Sequence, residues 1–365
     1  MWRIGNKYFN RMRENSSSID GIVLSAIQEL DNDKIIGKDI FGLTKMGIAR
    51  RIGKPKLWSH IGKIGYEICG GKNNNNFLYI GAAYDLLMAS YYGPDDIFDV
   101  IELKEENRPE IEDNVIMGHI FEGIATKLLF RGLKNMHIKK NAIFDIQQAW
   151  ENYIKNVYEG YYLENHNSSI SLQKIPSEEQ IFKRIYAWNN WEHYLRISGL
   201  IAGANKDMLA HLTDFGKNAG MAYMITDDII DLGKKREDMK CGRYTLPNVY
   251  AIQNTNESQK EIFSKGFGNR NATQEELLNA AKIVIHSGAI EHCQGYVIDL
   301  LNKAVFYMNI FPKSENKDML KYGAFGVTYI NKYYKNIENL FGYKTNNEQF
   351  RLIHKKLFNN HKNEK

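Results

Sequence analysis

Apolar residues recur at α-helical spacing, i, i+3, i+4 and i+7, through most of this chain of 365 residues. Strand-like alternation is nearly absent, and only six prolines interrupt the helical pattern. An all-α fold is therefore predicted. Ser177 begins a capping box that ends at Gln180, and Asp207 is the predicted N-cap of a later helix. The predicted helices are 21–30, 56–69, 78–92, 114–133, 143–162, 177–204, 207–232, 274–287 and 290–311, with loops at 73–76, 165–169 and 254–273.

The domain organisation follows from the even composition of the chain. No linker rich in Pro, Gly or Ser divides it, so one large helical domain is expected over residues 53–357. A helical extension over 1–52 precedes this domain, and a basic tail over 358–365 follows it. With 43% hydrophobic and 25% charged residues, the chain can bury a large core.

Charge and cysteine content exclude several classes of protein. The formal net charge is only +5 and the basic residues are scattered, which argues against nucleic acid as a partner. Three widely spaced cysteines form no CxxC pair, so neither a disulfide framework nor a zinc site is indicated. With no signal peptide and no membrane span, a cytoplasmic protein is expected. Peripheral membrane contact stays open, because an apolar substrate would favour it.

Two aspartate triplets of the same design lie more than a hundred residues apart. They are Asp95, Asp96 and Asp99, and Asp227, Asp228 and Asp231. On a helix, carboxylates at i and i+4 share one face. A single triplet is more typical of a solvated helix face or of charges that complement the helix dipole. Two matching triplets on apolar segments instead indicate an oxygen-ligand Mg²⁺ site for a diphosphate.

The surroundings of both triplets resemble the trans-isoprenyl diphosphate synthase (polyprenyl synthase) family. The second triplet follows Gly216 and an apolar stretch, and a Gly242-Arg243-Tyr-Thr-Leu-Pro247 segment comes after it. The first triplet lies between a predicted apolar helix and Arg108-Pro109. The resemblance covers most of the chain from about Gly53 onward.

This resemblance implies an isoprenoid synthase bundle of long helices around a deep apolar cavity, usually a homodimer. The implied substrate is an allylic isoprenyl diphosphate, and the implied cofactor is Mg²⁺, as three ions that stabilise the departing diphosphate. All six aspartates are candidate catalytic residues, and Asp95, Asp99, Asp227 and Asp231 are the candidate metal ligands. The expected diphosphate-binding cations are Arg243, Lys234, Lys240, Lys104, Arg108 and Lys54. The expected cavity residues are Met88, Tyr91, Tyr92, Trp188, Tyr223 and Met224.

The chain departs from the family where chain-elongating members bind isopentenyl diphosphate. A Gly-Gly-Lys-Arg-x-Arg-Pro segment becomes Gly53-Lys54-Pro55-Lys56-Leu57-Trp58, and Met88 stands in place of a histidine. An arginine pair falls on Lys104-Glu105 or Glu105-Glu106. A glutamate there would repel a diphosphate by several kcal/mol at an effective dielectric constant of about 20. The leading hypothesis is therefore a terpene synthase that ionises an allylic diphosphate and releases a cyclised or quenched product.

Three alternatives remain open at this point. They are ordinary chain elongation, prenyl transfer to another acceptor, and a non-catalytic subunit that retains its metal site as a relic. Two opposed carboxylate clusters repel each other unless a metal is bound, so their retention argues against the relic. Tyr91 and Tyr92, one turn before the first triplet, would form a cavity floor suited to a farnesyl-sized ligand.

Overall fold

The computed structural model describes residues 2–31, 48–49, 51–72, 75–91, 108–166, 168, 172, 174–234, 236–328, 337 and 340–341. Within these ranges the chain is helical and forms no strand, apart from an isolated antiparallel bridge between Ser168 and Arg243. The all-α prediction is confirmed. The helices are α1 (Trp2–Glu14), α2 (Ser16–Asp31), α3 (Leu57–Ile68), α4 (Phe77–Ser90), α5 (Arg108–Asn135), α6 (Lys140–His166), α7 (Glu178–Ala187), α8 (Asn190–Ala202), α9 (Lys206–Leu232), α10 (Glu237–Lys240), α11 (Leu246–Gln253), α12 (Glu257–Gly266), α13 (Gln274–His286), α14 (Ala289–Tyr307) and α15 (Glu315–Thr328).

Helix capping determines which of the predicted helix starts are confirmed. The capping box from Ser177 to Gln180 is confirmed at the start of α7. Asp207 as an N-cap is wrong, because the side chain of Asn205 accepts the N–H of Met208 and caps α9 two residues earlier. The loop predicted at 254–273 contains α12, which a capping box of Asn256 and Gln259 initiates. That signal was present in the sequence and was missed.

The single helix predicted over 177–204 is also wrong, since it is divided into α7 and α8. Asn189 is the cause: its side chain accepts the N–H of Glu192 at 3.3 Å, which caps α8. The same side chain donates to the carbonyl of Lys217 on α9 at 2.7 Å. A tertiary contact therefore fixes the break, and the helical periodicity on both sides of it continues without a signal.

Helices α8 and α9 form the centre of the bundle. Helix α8 packs against α3, α6 and α9, while α9 also packs against α14 and α15. Gly216 on α9 permits the close crossing, because a Cβ there would lie 2.8 Å from the carbonyl oxygen of Trp191. At the same crossing, the ring of Trp191 on α8 packs beside that of Phe215 on α9, with ring centroids 6.3 Å apart.

The N-terminal helices lie against the same bundle. Helix α1 packs on α15, and α2 packs on α4. The domain boundary at residue 53 stays a prediction, and the tail at 358–365 lies outside the described residues. No helix in the described part of the chain combines the length and the apolar character that a bilayer span requires.

His60 on α3 gives a testable link between packing and pH. Burial, with Arg11 and Lys63 nearby, lowers its pKa from the usual 6.5 to about 3. Below pH 6.5 the unfolded chain binds a proton that the folded chain excludes, so acid reduces the free energy of unfolding. When the pH falls from 7 to 5, the free energy of unfolding should decrease by about 2 kcal/mol more in wild type than in His60→Gln. Urea denaturation at both pH values measures this, and equal losses would contradict it.

Candidate active site

One cavity of about 870 Å³ opens between the turn before α3 and helices α3, α4 and α6 to α10. Its wall includes both acidic and apolar side chains, the latter contributed largely by α3, α4 and α9. Nine of the residues predicted from the sequence lie in this one wall: Met88, Trp188, Tyr223, Met224, Asp227, Asp228, Asp231, Lys234 and Arg243. The structure therefore brings together side chains that are up to 155 residues apart in the chain, from Met88 to Arg243.

The remaining predicted residues divide into two groups. Lys54 is exposed, Lys240 ends α10, and Tyr91 is buried, and none of these three lines the cavity. Tyr91 packs edge-on to the buried ring of Tyr153. Its expected place in the cavity floor is corrected accordingly. Outside the described residues lie Asp95, Asp96, Asp99, Tyr92, Lys104 and the side chain of Arg108.

Helix α9 presents the acidic part of the wall. Asp227 and Asp231 are one turn apart, as their spacing predicts, and Glu237 and Asp238 of α10 join them. Burial raises the pKa of Asp227, although Lys234 opposes the shift. Burial and repulsion from Asp238 and Asp227 raise the pKa of Asp231 to about 8. These carboxylates therefore concentrate negative charge that a bound cation would relieve.

Asp228 has a different partner from its two neighbours. Its oxygens accept from one guanidinium nitrogen of Arg184 on α7, at 2.8 and 2.7 Å. Burial raises the pKa of Asp228 to about 7 against the lowering effect of Arg184. The short contacts are typical of a charge-assisted pair, so Asp228 holds α7 against α9 rather than facing the cavity alone. Arg184, which the sequence analysis missed, lines the same wall.

Glu164 at the end of α6 is a second missed residue. It accepts from the indole N–H of Trp188 at 3.0 Å, and from Nε of Arg243 at 3.0 Å. Nη1 of Arg243 also contacts Asp238 at 3.2 Å. Glu164 therefore orients both Trp188 and Arg243, two cavity residues identified from the sequence. No local motif indicated this carboxylate.

The donor set fits a divalent metal ion. Asp227 and Asp231 supply oxygen ligands on one helical face, and Mg²⁺ commonly takes one or two carboxylates and completes its shell with water and substrate phosphates. Across the ranges that the structure describes, no three His, Cys, Asp or Glu side chains form a ready-made metal group. A site that shares its ligands with a diphosphate needs no such group, and the first aspartate triplet lies outside those ranges.

Parts of this chain are similar in sequence to known proteins. A sequence profile of the polyprenyl synthetase family matches residues 115–284. The geranylgeranyl diphosphate synthase of Sulfolobus acidocaldarius is 28% identical over 247 residues, or 64% of this chain and 73% of that protein. Two other relatives are matched over shorter parts of their length, 28% and 33%.

Solved structures show the same fold. The polyprenyl synthase of Caulobacter crescentus, solved with calcium and isoprenyl diphosphate, has a TM-score of 0.70 at 20% identity, covering 88% of this chain and 98% of that one. The geranylgeranyl pyrophosphate synthase of Corynebacterium glutamicum, solved with isoprenyl diphosphate and magnesium, has a TM-score of 0.70 at 16% identity, covering 86% and 99%. Residues 115–284 therefore resemble the polyprenyl synthetase family in sequence, and the chain has the all-α isoprenoid synthase fold.

Proposed function

We propose that this protein elongates isoprenoid chains, condensing an allylic isoprenyl diphosphate with isopentenyl diphosphate in a reaction that depends on Mg²⁺. The observation that carries the proposal is the single cavity in which the acidic face of α9, the cations Lys234 and Arg243, and an apolar wall meet. In the reaction the allylic C–O bond breaks, the isopentenyl double bond supplies the electrons of the new C–C bond, and one proton is lost.

The polar part of the cavity suits the allylic diphosphate. Asp227 and Asp231, with Asp95 and Asp99 of the first triplet, would hold the metal. When bound, the metal offsets the negative charge that develops on the departing diphosphate. Lys234 and Arg243 line the same region and would donate to phosphate oxygens. The number of ions, predicted as three, stays part of the proposal.

The apolar part of the cavity suits the hydrocarbon chain. Leu57, Trp58, Met88 and Met224 line it, and these side chains keep water from a carbocation. Trp188 and Tyr223 also line the cavity, and an aromatic ring attracts a cation that lies over its face. The indole of Trp188 is held by Glu164, so its ring is oriented in advance.

Terpene release, the leading hypothesis from the sequence, now takes second place. The relatives bear the names of chain-elongating synthases, including a geranylgeranyl diphosphate synthase. In addition, the hypothesis assumed that the second diphosphate site had lost its arginines, whereas Arg51 lines the cavity beside Pro55 and Leu57. Prenyl transfer to another acceptor and a non-catalytic subunit remain as outcomes of the test. A homodimer stays a prediction, for which light scattering is the measurement.

The test incubates purified protein and Mg²⁺ with geranyl, farnesyl or geranylgeranyl diphosphate, with and without isopentenyl diphosphate. Chain elongation should give longer prenyl diphosphates only when both substrates are present. A hydrocarbon that forms from the allylic substrate alone would favour terpene release. No product from any combination would favour a non-catalytic subunit.

Glu164→Gln should weaken the allylic site without unfolding the protein. The amide keeps the shape but loses the charge that pairs with Arg243, so Arg243 is held less firmly towards the diphosphate. We expect KM for the allylic diphosphate to rise about tenfold, the equivalent of one charge-assisted hydrogen bond. Steady-state kinetics measures this. Glu151→Gln on the exposed face of α6 is the control, and equal KM values for both variants would contradict the role of Glu164.

A further inference from the structure

A corner of the bundle at residues 303–313 exposes apolar side chains between two lysines. It consists of the last turn of α14, a 3₁₀ turn at Met308–Ile310 and the segment that leads to α15. Phe306 is 66% exposed and Ile310 is 44% exposed, and the exposed Pro312 follows them. We call residues 303–313 the α14 corner. Its large exposed apolar side chains are not explained by the cavity.

The outward direction of these side chains is built into the fold. Met308 and Phe311 of the same turn are buried, at 0% and 2% exposed. The N–H of Phe311 donates to the carbonyl of Met308 at 3.1 Å, and Nζ of Lys317 on α15 donates to the carbonyl of Phe311 at 2.7 Å. These contacts anchor the turn in the core, so Phe306 and Ile310 are presented on a firm support.

The α14 corner lies at the end of the bundle away from the acidic part of the cavity. Near the start of α14, burial and the nearby carboxylate of Asp228 raise the pKa of Cys293. At the other end of α14, the ring of Tyr307 packs edge-on to His211 near the start of α9, with centroids 5.9 Å apart. Tyr307 follows Cys293 by fourteen residues, which is about 21 Å of helix at a rise of about 1.5 Å per residue.

The two ends of the bundle also differ in charge. The exposed Lys303 and Lys313 flank the apolar side chains of the corner. Of the nearby acids, Glu315 is paired with Lys7 at 2.5 Å, and Asp299 is one turn further from the corner than Lys303. The wall of the cavity, in contrast, contains six acidic and four basic residues. A negatively charged surface is therefore attracted to the corner and repelled by the cavity.

The size of the apolar surface favours a lipid over a protein as the partner. The corner exposes two large apolar side chains and a proline, whereas a stable protein interface covers about 800 Å² on each partner. A lipid surface needs fewer contacts, because a few apolar side chains enter the boundary below the headgroups while lysines attract anionic headgroups. The α14 corner has this composition.

We propose that the α14 corner docks on a bilayer surface that contains anionic lipid. Phe306 and Ile310 enter the boundary between headgroups and acyl chains, and Lys303 and Lys313 contact the headgroups. The acidic part of the cavity then faces the aqueous phase, from which charged diphosphates arrive. This inference goes beyond the proposed function and does not depend on it, because docking needs no turnover.

The test measures co-sedimentation of the full chain with vesicles of phosphatidylcholine alone, or of phosphatidylcholine and phosphatidylglycerol in equal parts. Wild type should partition at least about tenfold more strongly onto the mixed vesicles, because each lysine near an anionic surface contributes about a factor of five. Added salt should weaken this partitioning. Equal partitioning onto both kinds of vesicle, or none onto either, would overturn the proposal.

Single substitutions test the apolar contact. Phe306→Ser and Ile310→Ser should each lower partitioning onto the mixed vesicles at least about fivefold, because less apolar surface leaves water. Both side chains are exposed, so the variants should fold. Ile262→Ser is the matched control, since this isoleucine of α12 is 38% exposed and lies outside the corner. It should partition within about twofold of wild type. The same partitioning by Ile310→Ser as by Ile262→Ser would contradict docking through the corner.

A pair of charge variants tests whether the attraction is local. Lys303→Gln combined with Lys313→Gln should lower partitioning about 25-fold. Lys155→Gln combined with Lys183→Gln removes the same charge from exposed positions on α6 and α7 and should lower it far less. Equal losses would assign the attraction to net charge and overturn the proposal. Light scattering adds a last check, because a dimer of wild type that is lost in Ile310→Ser would assign the corner to a second copy of the chain instead.

Discussion

Replacing Asp227 by Asn should lower kcat about 1000-fold while leaving the protein folded. Asp227 lines the cavity one turn from Asp231, where burial, with repulsion from Asp238, raises the pKa of both. Asparagine keeps the shape of the side chain but removes a charged metal ligand. A loss of about 4 kcal/mol of transition-state stabilisation corresponds to this factor. Steady-state turnover at saturating Mg²⁺ and substrates is the measurement.

Asp214→Asn is the matched control, since it changes the same side chain on the same helix away from the cavity wall. It should retain turnover close to that of wild type. EDTA should stop the wild-type reaction, and added Mg²⁺ should restore it. Full turnover in Asp227→Asn would show that the metal site has been misplaced.

Arg184→Met should destabilise the fold more than any exposed substitution. The Arg184 and Asp228 side chains are 5% and 4% exposed, so removing the guanidinium leaves a buried carboxylate without its partner. The free energy of unfolding should fall by about 3–5 kcal/mol. Urea denaturation at pH 7.5 measures the loss.

The control and the rescue separate charge from packing. Lys183→Met removes the neighbouring cation, which pairs with Glu179 on the surface, and should change stability little. Adding Asp228→Asn to Arg184→Met should recover most of the lost stability, because no uncompensated charge then remains. A double variant as unstable as Arg184→Met would contradict the buried pair as the cause.

The sequence predicted those parts of the site that depend on local spacing. Asp227 and Asp231 share a helical face because they are four residues apart, and no tertiary information is needed to infer it. Met88, Trp188 and Arg243 were placed by resemblance, and the structure brings them into one wall. The helix at Glu257–Gly266 was missed despite a readable capping box, so that error was avoidable.

The parts of the site that the sequence did not predict depend on how distant helices pack. Arg184 of α7 pairs with Asp228 of α9, and Asn189, which separates α7 from α8, bonds to α9 as well. Arg51 reaches the cavity because Asp20 and Asp85, from α2 and α4, hold its turn. Neither contact has a signature in the neighbouring sequence. For this reason the cation content of the cavity was underestimated, and terpene release was favoured over elongation.

The most direct test follows the label from radioactive isopentenyl diphosphate incubated with farnesyl diphosphate, Mg²⁺ and enzyme. The label should enter a longer prenyl diphosphate, and Asp227→Asn should abolish its incorporation. Hydrocarbon formed by wild type without incorporated label would contradict chain elongation in this cavity.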